Sequence, residues 1–191
     1  MKALSEQQIK TLCVAFPELT QHEPMARHTS YRTGGEARVY GVCADPARVV
    51  ELVEAATSAN IPWTVYGGGS NILVADGGYE GLVIQLTPRS IEINGTHVRA
   101  EVGVISGLLA RKTVDAGLTG FEWAIGLPGT IGGAIYGNAG CYGGELKDYL
   151  IAVDAYHIAS KKRVRLTKED CQFGYRESRF KKERYILFAA E

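Results

Sequence analysis

The stretch Gly126–Glu145, GLPGTIGGAIYGNAGCYGGE, decides how the rest of the chain is read. Eight of its twenty residues are glycine, far above ordinary usage. Leu127, Pro128, Ile131, Ile135, Tyr136 and Tyr142 are interleaved with them, and residues of those types tend to be buried. Glycine allows positive φ angles and a backbone that a flat ligand can approach with no Cβ in the way. One glycine pair would be explained by a tight turn or by close packing of helix on strand. This density, beside a second cluster at Tyr66–Asn71 (YGGGSN), points to a cofactor lying on the backbone.

That second cluster closes a recognisable unit. Arg38–Cys43 reads as a strand, and Asp45-Pro46 as a helix cap with proline in the first turn. Val49, Val50, Leu52, Val53 and Ala56 then form one apolar helix face. Asn60–Tyr66 is a turn and a second strand, which makes a strand–helix–strand unit. It runs into Gly67-Gly68-Gly69-Ser70-Asn71. Successive glycines can aim backbone N–H groups at one point, a nest for phosphate, and Ser70 and Asn71 add side-chain donors. No Gly-Lys-Ser/Thr follows, so this is not a P-loop. Ile72–Gly78 reads as extended chain and a turn, so the helix-opening dinucleotide fingerprint fits poorly.

Ser5-Glu6-Gln7-Gln8 predicts a capping box on a helix that Pro17 follows. Gly34-Gly35 predicts a turn, and Gly81–Leu86 a strand. Ile91–Ile93 and Thr96–Val102 flank Asn94-Gly95, which predicts a hairpin with a type I′ turn. Ser106–Ala116 reads as a helix capped by Ser106. Ile151–Ile158 and Arg163–Leu166 form a second pair of strands, and Thr167–Asp170 a short capped turn. Phe173–Lys181, FGYRESRFK, mixes aromatic and basic residues. Arg184–Ala190 is a final core-type strand, and a chain ending there reads as truncated. The predicted class is α+β: an N-terminal helix within residues 1–19, a first lobe over 20–90 and a second over 91–191.

Lys plus Arg and Asp plus Glu number 21 each, so charge gives no reason to expect nucleic acid or an anionic membrane as partner. No apolar run approaches the roughly 20 residues of a membrane helix, and MKALSEQQIK has no apolar signal core. Cys13, Cys43, Cys141 and Cys171 are widely spaced with no C-x-x-C pair, which argues against zinc and against a disulfide framework. Free thiols in a reducing cytoplasm is the reading. The histidines, His22, His28, His97 and His157, are scattered and predict no metal site.

Taken together and in order, HTSYRTGG (His28–Gly35), YGGGSNILVADGGYEGLVI (Tyr66–Ile84), Gly126–Glu145 and FGYRESRFK resemble the UDP-N-acetylenolpyruvoylglucosamine reductase family, also called UDP-N-acetylmuramate dehydrogenase. The resemblance implies a PCMH-type (vanillyl-alcohol-oxidase) FAD-binding fold of two small lobes and non-covalent FAD. It further implies NADPH as hydride donor, a UDP-sugar substrate and a place in peptidoglycan precursor synthesis. By it, Tyr66, Gly67, Gly68, Gly69, Ser70, Asn71 and Ile72 hold the FAD pyrophosphate. Pro128, Gly129, Thr130, Gly132, Gly133 and Gly140 lie along the ribityl chain and ring. Gly132 and Gly133 are expected to donate N–H bonds to the ring's polar edge, favouring charge on the reduced flavin. Asn138 and Tyr142 are expected as further lining residues.

Tyr175-Arg176 matches the family's Tyr-Arg motif, which implies Tyr175 as a substrate contact and Arg176 as the catalytic residue. A guanidinium offers parallel donors and a permanent charge to a carboxylate on which negative charge builds. Arg179 and Lys181 are read as solvated charges. The family's third domain, which supplies a proton-donating serine and a glutamate, has no match in these residues, and Ser178 is not promoted to that role. Cys141 is read as a packing residue, not a covalent flavin link. Two other readings share the motifs: a different flavin oxidoreductase on the same fold, and a non-catalytic FAD-binding remnant.

Overall fold

The computed structural model describes residues 5–191; Met1–Leu4, part of the stretch read above for a signal core, lie outside them. The chain divides into two compact units, one through Leu86 and one from Thr87. The N-terminal helix belongs to the first.

In the first unit, α1 (Glu6–Ala15) carries the predicted capping box: Gln8 N donates to Ser5 Oγ and Ser5 N to Gln8 Oε1. It buries Ile9 and Leu12. Four strands follow: β1 (Thr20–Pro24), β2 (Glu36–Cys43), β3 (Trp63–Tyr66) and β4 (Tyr79–Leu86). The helix α2 (Pro46–Ser58) connects β2 to β3, with Asp45 accepting from Ala47 N at its cap. The sheet order is β1-β2-β4-β3. β4 lies between β2 and β3, parallel to both. Leu82, Val83 and Ile84 are therefore buried in succession, as a central parallel strand requires. β1 is not legible in the sequence: TQHEP is polar, largely exposed, and an edge strand antiparallel to β2. The glycine loop after Tyr66 starts at the carboxyl end of a parallel strand, where open α/β sheets bind ligands.

The second unit is a five-stranded antiparallel sheet with helices. Its strands are β5 (Ile91–Asn94), β6 (His97–Glu101), β9 (Ala152–His157), β10 (Lys162–Thr167) and β11 (Tyr185–Ala190), in the order β10-β9-β11-β6-β5. A two-stranded hairpin, β7 (Gly140–Cys141) and β8 (Gly144–Glu145), stands apart from it. β11 is central, and Ile186 to Ala190 are all buried.

The β5–β6 turn differs from the expectation by one residue. Asn94 pairs with His97, so Gly95 and Thr96 form the loop, and of the two only Gly95 has positive φ (+58°). A two-residue loop with glycine at its first position satisfies the II′ requirement instead of I′. The helix α3 (Ser106–Asp115) also starts differently: Ile105 is the cap residue, and Ser106 is the first helical residue, buried, with its amide on Gly129 O.

The fourth helix, α4 (Ile131–Gly137), was not expected, since three of its seven residues are glycine and glycine is a poor helix former. Tertiary contacts override propensity here. The Ile131 and Gly132 amides donate to Val104 O and Val102 O, both at 2.9 Å, and Ile131, Ala134 and Ile135 are buried. Asn138 ends the helix in the left-handed conformation, φ +41°.

Candidate flavin-binding site

The Tyr-Arg motif forms the tip of a tight turn. Gly174 and Glu177 exchange both backbone hydrogen bonds, 3.0 and 3.2 Å, leaving Tyr175 and Arg176 as the two loop residues. Arg176 has φ +54°, a conformation that costs a non-glycine residue about 1 kcal/mol or more. The surroundings hold it there. Its Nη2 donates to Gly140 O at 2.9 Å, and its carbonyl accepts from Lys181 Nζ at 2.6 Å. Lys181 is thus a clamp on the arginine backbone, and Arg179 pairs with Glu183 through both Nε and Nη2. Neither is the free solvated charge expected from sequence. Ser178 is buried and donates to Tyr136 O at 2.7 Å, tying the motif to α4.

Asn138 joins the same assembly. It is 1% exposed. Its Nδ2 donates to Glu145 Oε2 (2.8 Å) and to Gly174 O (2.9 Å), while its Oδ1 accepts from Lys147 N at 3.1 Å. The side chain expected to line the cofactor site therefore holds the arginine turn against β8. The Glu145 carboxyl is kept below its usual range by its bond to Lys147 and then by Asn138.

A cleft of about 230 Å³ results. Asn138, Gly140, Tyr175 and Arg176 line it together, joined by Cys141, Gly143, Gly144 and Glu145. Glu145 lines the cleft without having been singled out from the sequence; a carboxylate seven residues after Asn138 gave no signal until the hairpin folded it back. Tyr142 does not line the cleft. It sits with Gly143 at the tip of the β7–β8 hairpin, both at positive φ, and is 93% exposed. Tyr175 is likewise exposed.

Upstream in the same unit, Gly129 and Thr130 lie beside the start of α3. Pro128 is exposed. Gly129 O accepts from Ser106 N, and Thr130 pairs with Ile105. The buried Thr130 and Ser106 hydroxyls have no hydrogen-bond partner among the described residues. Gly132 corrects the expectation of an amide facing the flavin, since that N–H goes to Val102 O. A Cβ at Gly132 would come within 2.8 Å of Val102 Cβ, so its glycine is required by packing. The Gly133 amide is different: it is exposed and has no acceptor among the described residues.

In the first unit, Tyr66 is buried with its hydroxyl 3.1 Å from that of Tyr40. Ile72 packs on the cluster of Met25, Ala37, Tyr40, Tyr66 and Val83. Both side chains thus face the core. Of the three glycines only Gly69 has left-handed φ (+66°). A methyl group there would overlap the His28 carbonyl oxygen. The amides of Gly68, Gly69, Ser70 and Asn71 donate to no acceptor among the described residues. Four successive unpaired N–H groups are the donor set that a diphosphate needs, and orphaned hydroxyls beside a glycine-rich helix start suit a polyhydroxyl chain and a polar ring edge. The residues fit a dinucleotide flavin.

The family model for the FAD binding domain matches residues 37–166. The chain belongs to the FAD-binding domain family. UDP-N-acetylenolpyruvoylglucosamine reductase of Limosilactobacillus fermentum is 40% identical over 90% of this chain and 58% of its own length. The Clostridioides difficile reductase of the same name is 39% identical over 88% of this chain and 56% of its own. The solved UDP-N-acetylenolpyruvylglucosamine reductase of Thermus caldophilus superposes with a TM-score of 0.75 at 30% identity, covering 91% of this chain and 60% of that one. Aclacinomycin oxidoreductase, at 19% identity and a TM-score of 0.68, shares the fold alone. The chain thus corresponds to the FAD-binding, PCMH-type portion of the reductases that its four motifs resemble, and spans somewhat over half of their length. Its four cysteines are free. Among the described residues no group of three or more His, Cys, Asp or Glu side chains could hold a metal, and no helix is long and apolar enough to cross a membrane.

Proposed function

We propose that this FAD-binding portion serves a cytoplasmic reductase of peptidoglycan precursor synthesis, which converts UDP-N-acetylglucosamine enolpyruvate to UDP-N-acetylmuramate at the expense of NADPH. The observation that carries this reading is the bond from Arg176 Nη2 to Gly140 O, 2.9 Å, which fastens the basic turn to the glycine-rich segment. FAD supplies two-electron redox chemistry when bound. The amides of Gly68–Asn71 hold its diphosphate, and Thr130, Ser106 and Gly133 N–H serve its ribityl and ring portion. Arg176 touches the substrate carboxylate and stabilises negative charge building there, with its orientation fixed in advance by Gly140, Lys181 and the Asn138 clamp. Tyr175, exposed beside it, contacts the sugar nucleotide.

The test begins with the purified chain. FAD is expected to bind non-covalently, with quenched flavin fluorescence and a raised melting temperature. Joined to the remaining length of a reductase, the protein is expected to oxidise NADPH only when the enolpyruvyl sugar nucleotide is present. Arg176→Lys keeps the charge but loses the paired donors, and is expected to lower kcat with FAD content unchanged. Rapid reoxidation by oxygen with indifference to that substrate would replace the reductase reading with an oxidase.

A further inference from the structure

The motif His28–Gly35 has no role in the function proposed above, yet at its start it touches both the glycine loop and a half-buried chain of polar side chains. Glu23 Oε1 lies 2.8 Å from His28 Nε2, and His28 Nδ1 lies 3.2 Å from the Tyr40 hydroxyl. The Tyr40 hydroxyl donates to Gln85 Oε1 at 2.8 Å, and Gln85 Nε2 donates to Gly67 O at 3.2 Å. The rings of His28 and Tyr40 are stacked, with centroids 4.4 Å apart.

The order of donors is fixed by chemistry. An amide oxygen only accepts and an amide nitrogen only donates. With Gln85 Nε2 on Gly67 O, the Tyr40 proton points to Gln85, and the Tyr66 hydroxyl donates in turn to the Tyr40 oxygen. Burial pushes both phenols up, so both keep their protons. The His28–Ser30 turn abuts the loop at a second point: Ser30 N donates to Gly69 O at 3.0 Å, and the His28 carbonyl occupies the space a side chain at Gly69 would need. Gly67 and Gly69 are thus both held through their carbonyls, and the amides without an acceptor among the described residues begin at Gly68 between them.

A buried tyrosine needs only one acceptor. Here Glu23 of β1, His28, Tyr40 of β2 and Gln85 of β4 run in a chain whose last member, Gln85, bonds one backbone carbonyl at the carboxyl end of β3. We propose that Glu23, His28, Tyr40 and Gln85 are positioning residues: they hold the Gly67 carbonyl so that the amides of Gly68–Asn71 are set for a dinucleotide diphosphate before it arrives. The proposal rests on the FAD reading above.

Tyr40→Phe removes one hydroxyl from the relay and keeps the ring in the core; Gln85→Met removes the last link and keeps its shape. Each is expected to raise the FAD dissociation constant about tenfold, the value of one hydrogen bond made to order a site. The double variant is expected to bind no more weakly than either single one, because both act through the same carbonyl. Phosphorus NMR of bound FAD is expected to show shifted diphosphate resonances in all three variants, with the flavin absorption band unchanged. Wild-type affinity and wild-type phosphorus resonances in folded Tyr40→Phe and Gln85→Met would overturn the relay alone. A wild-type chain that takes up no FAD would overturn the cofactor reading and the relay with it.

Discussion

The loop at Gly67–Ser70 and the segment Gly126–Glu145 are both glycine-rich, yet they use the residue differently. In the loop, Gly69 is dictated by the chain itself: its φ is left-handed and the His28 carbonyl fills the space of a side chain. The product of that packing is a row of free amides. In the longer segment the glycines divide. Gly132 is pressed against Val102, while a Cβ at Gly137 would meet nothing within 4 Å. Glycine density therefore marks close approach, but what approaches is often another part of the same chain. The groups available to a ligand are the donors left over after that packing is complete.

Substitutions can break this contrast. The largest effect is expected at Gly69→Ala, where a strained φ and a backbone overlap combine to cost about 3 kcal/mol or more. Denaturant unfolding would measure it; a wild-type midpoint would show that the loop is not braced by the His28 turn. Asn138→Ala comes next, at roughly 2–3 kcal/mol, since it takes one of two donors from Gly174 O, orphans Lys147 N and leaves alanine in a left-handed cap. The same variant is expected to loosen the Arg176 turn, readable as faster amide exchange at Glu177.

Within α4 the two kinds of glycine give opposite signs. Gly132→Ala is expected to destabilise by about 1–2 kcal/mol through overpacking against Val102. Gly137→Ala, in open space with an ordinary helical φ, is expected to stabilise by about 0.5 kcal/mol. Midpoint shifts of opposite sign, the larger at Gly132, would sharpen the division; two losses would erase it. The smallest effect concerns pH. The Glu145 carboxyl is depressed below its ordinary value of 4.5 by Lys147 and Asn138. Its contribution is present above that value and fades as pH falls through the lower folded value. Glu145→Gln is therefore expected to lose less stability on acidification than the wild-type chain, and identical acid profiles would remove Glu145 from the clamp.

Much of this architecture was legible in the amino-acid order. The capping box at Ser5–Gln8, the proline-led helix after Asp45 and the strand pairs of the second unit follow from local rules that need no partner. Local rules fell short where long-range contacts decide. β1 is polar and forms because β2 offers an open edge. α4 forms because Val102 and Val104 supply carbonyls to its first amides. The hairpin slips from I′ to II′ because Asn94 is better placed as a partner of His97 than as a loop residue.

The same boundary runs through the site. Residue types and their order determined that the chain is an FAD-binding portion, and singled out Gly67–Asn71, Thr130 and Arg176, because such chemistry is carried by which groups exist. Which of those groups are free was decided only by the tertiary structure. Gly132 N–H, the Asn138 amide and the Tyr66 hydroxyl are consumed by the protein's own hydrogen bonds, while Gly133 N–H and the Thr130 hydroxyl find no partner among the described residues. A hydrogen-bonding group serves one partner well at a time, and that partner is known only once the distant parts of the chain have come together.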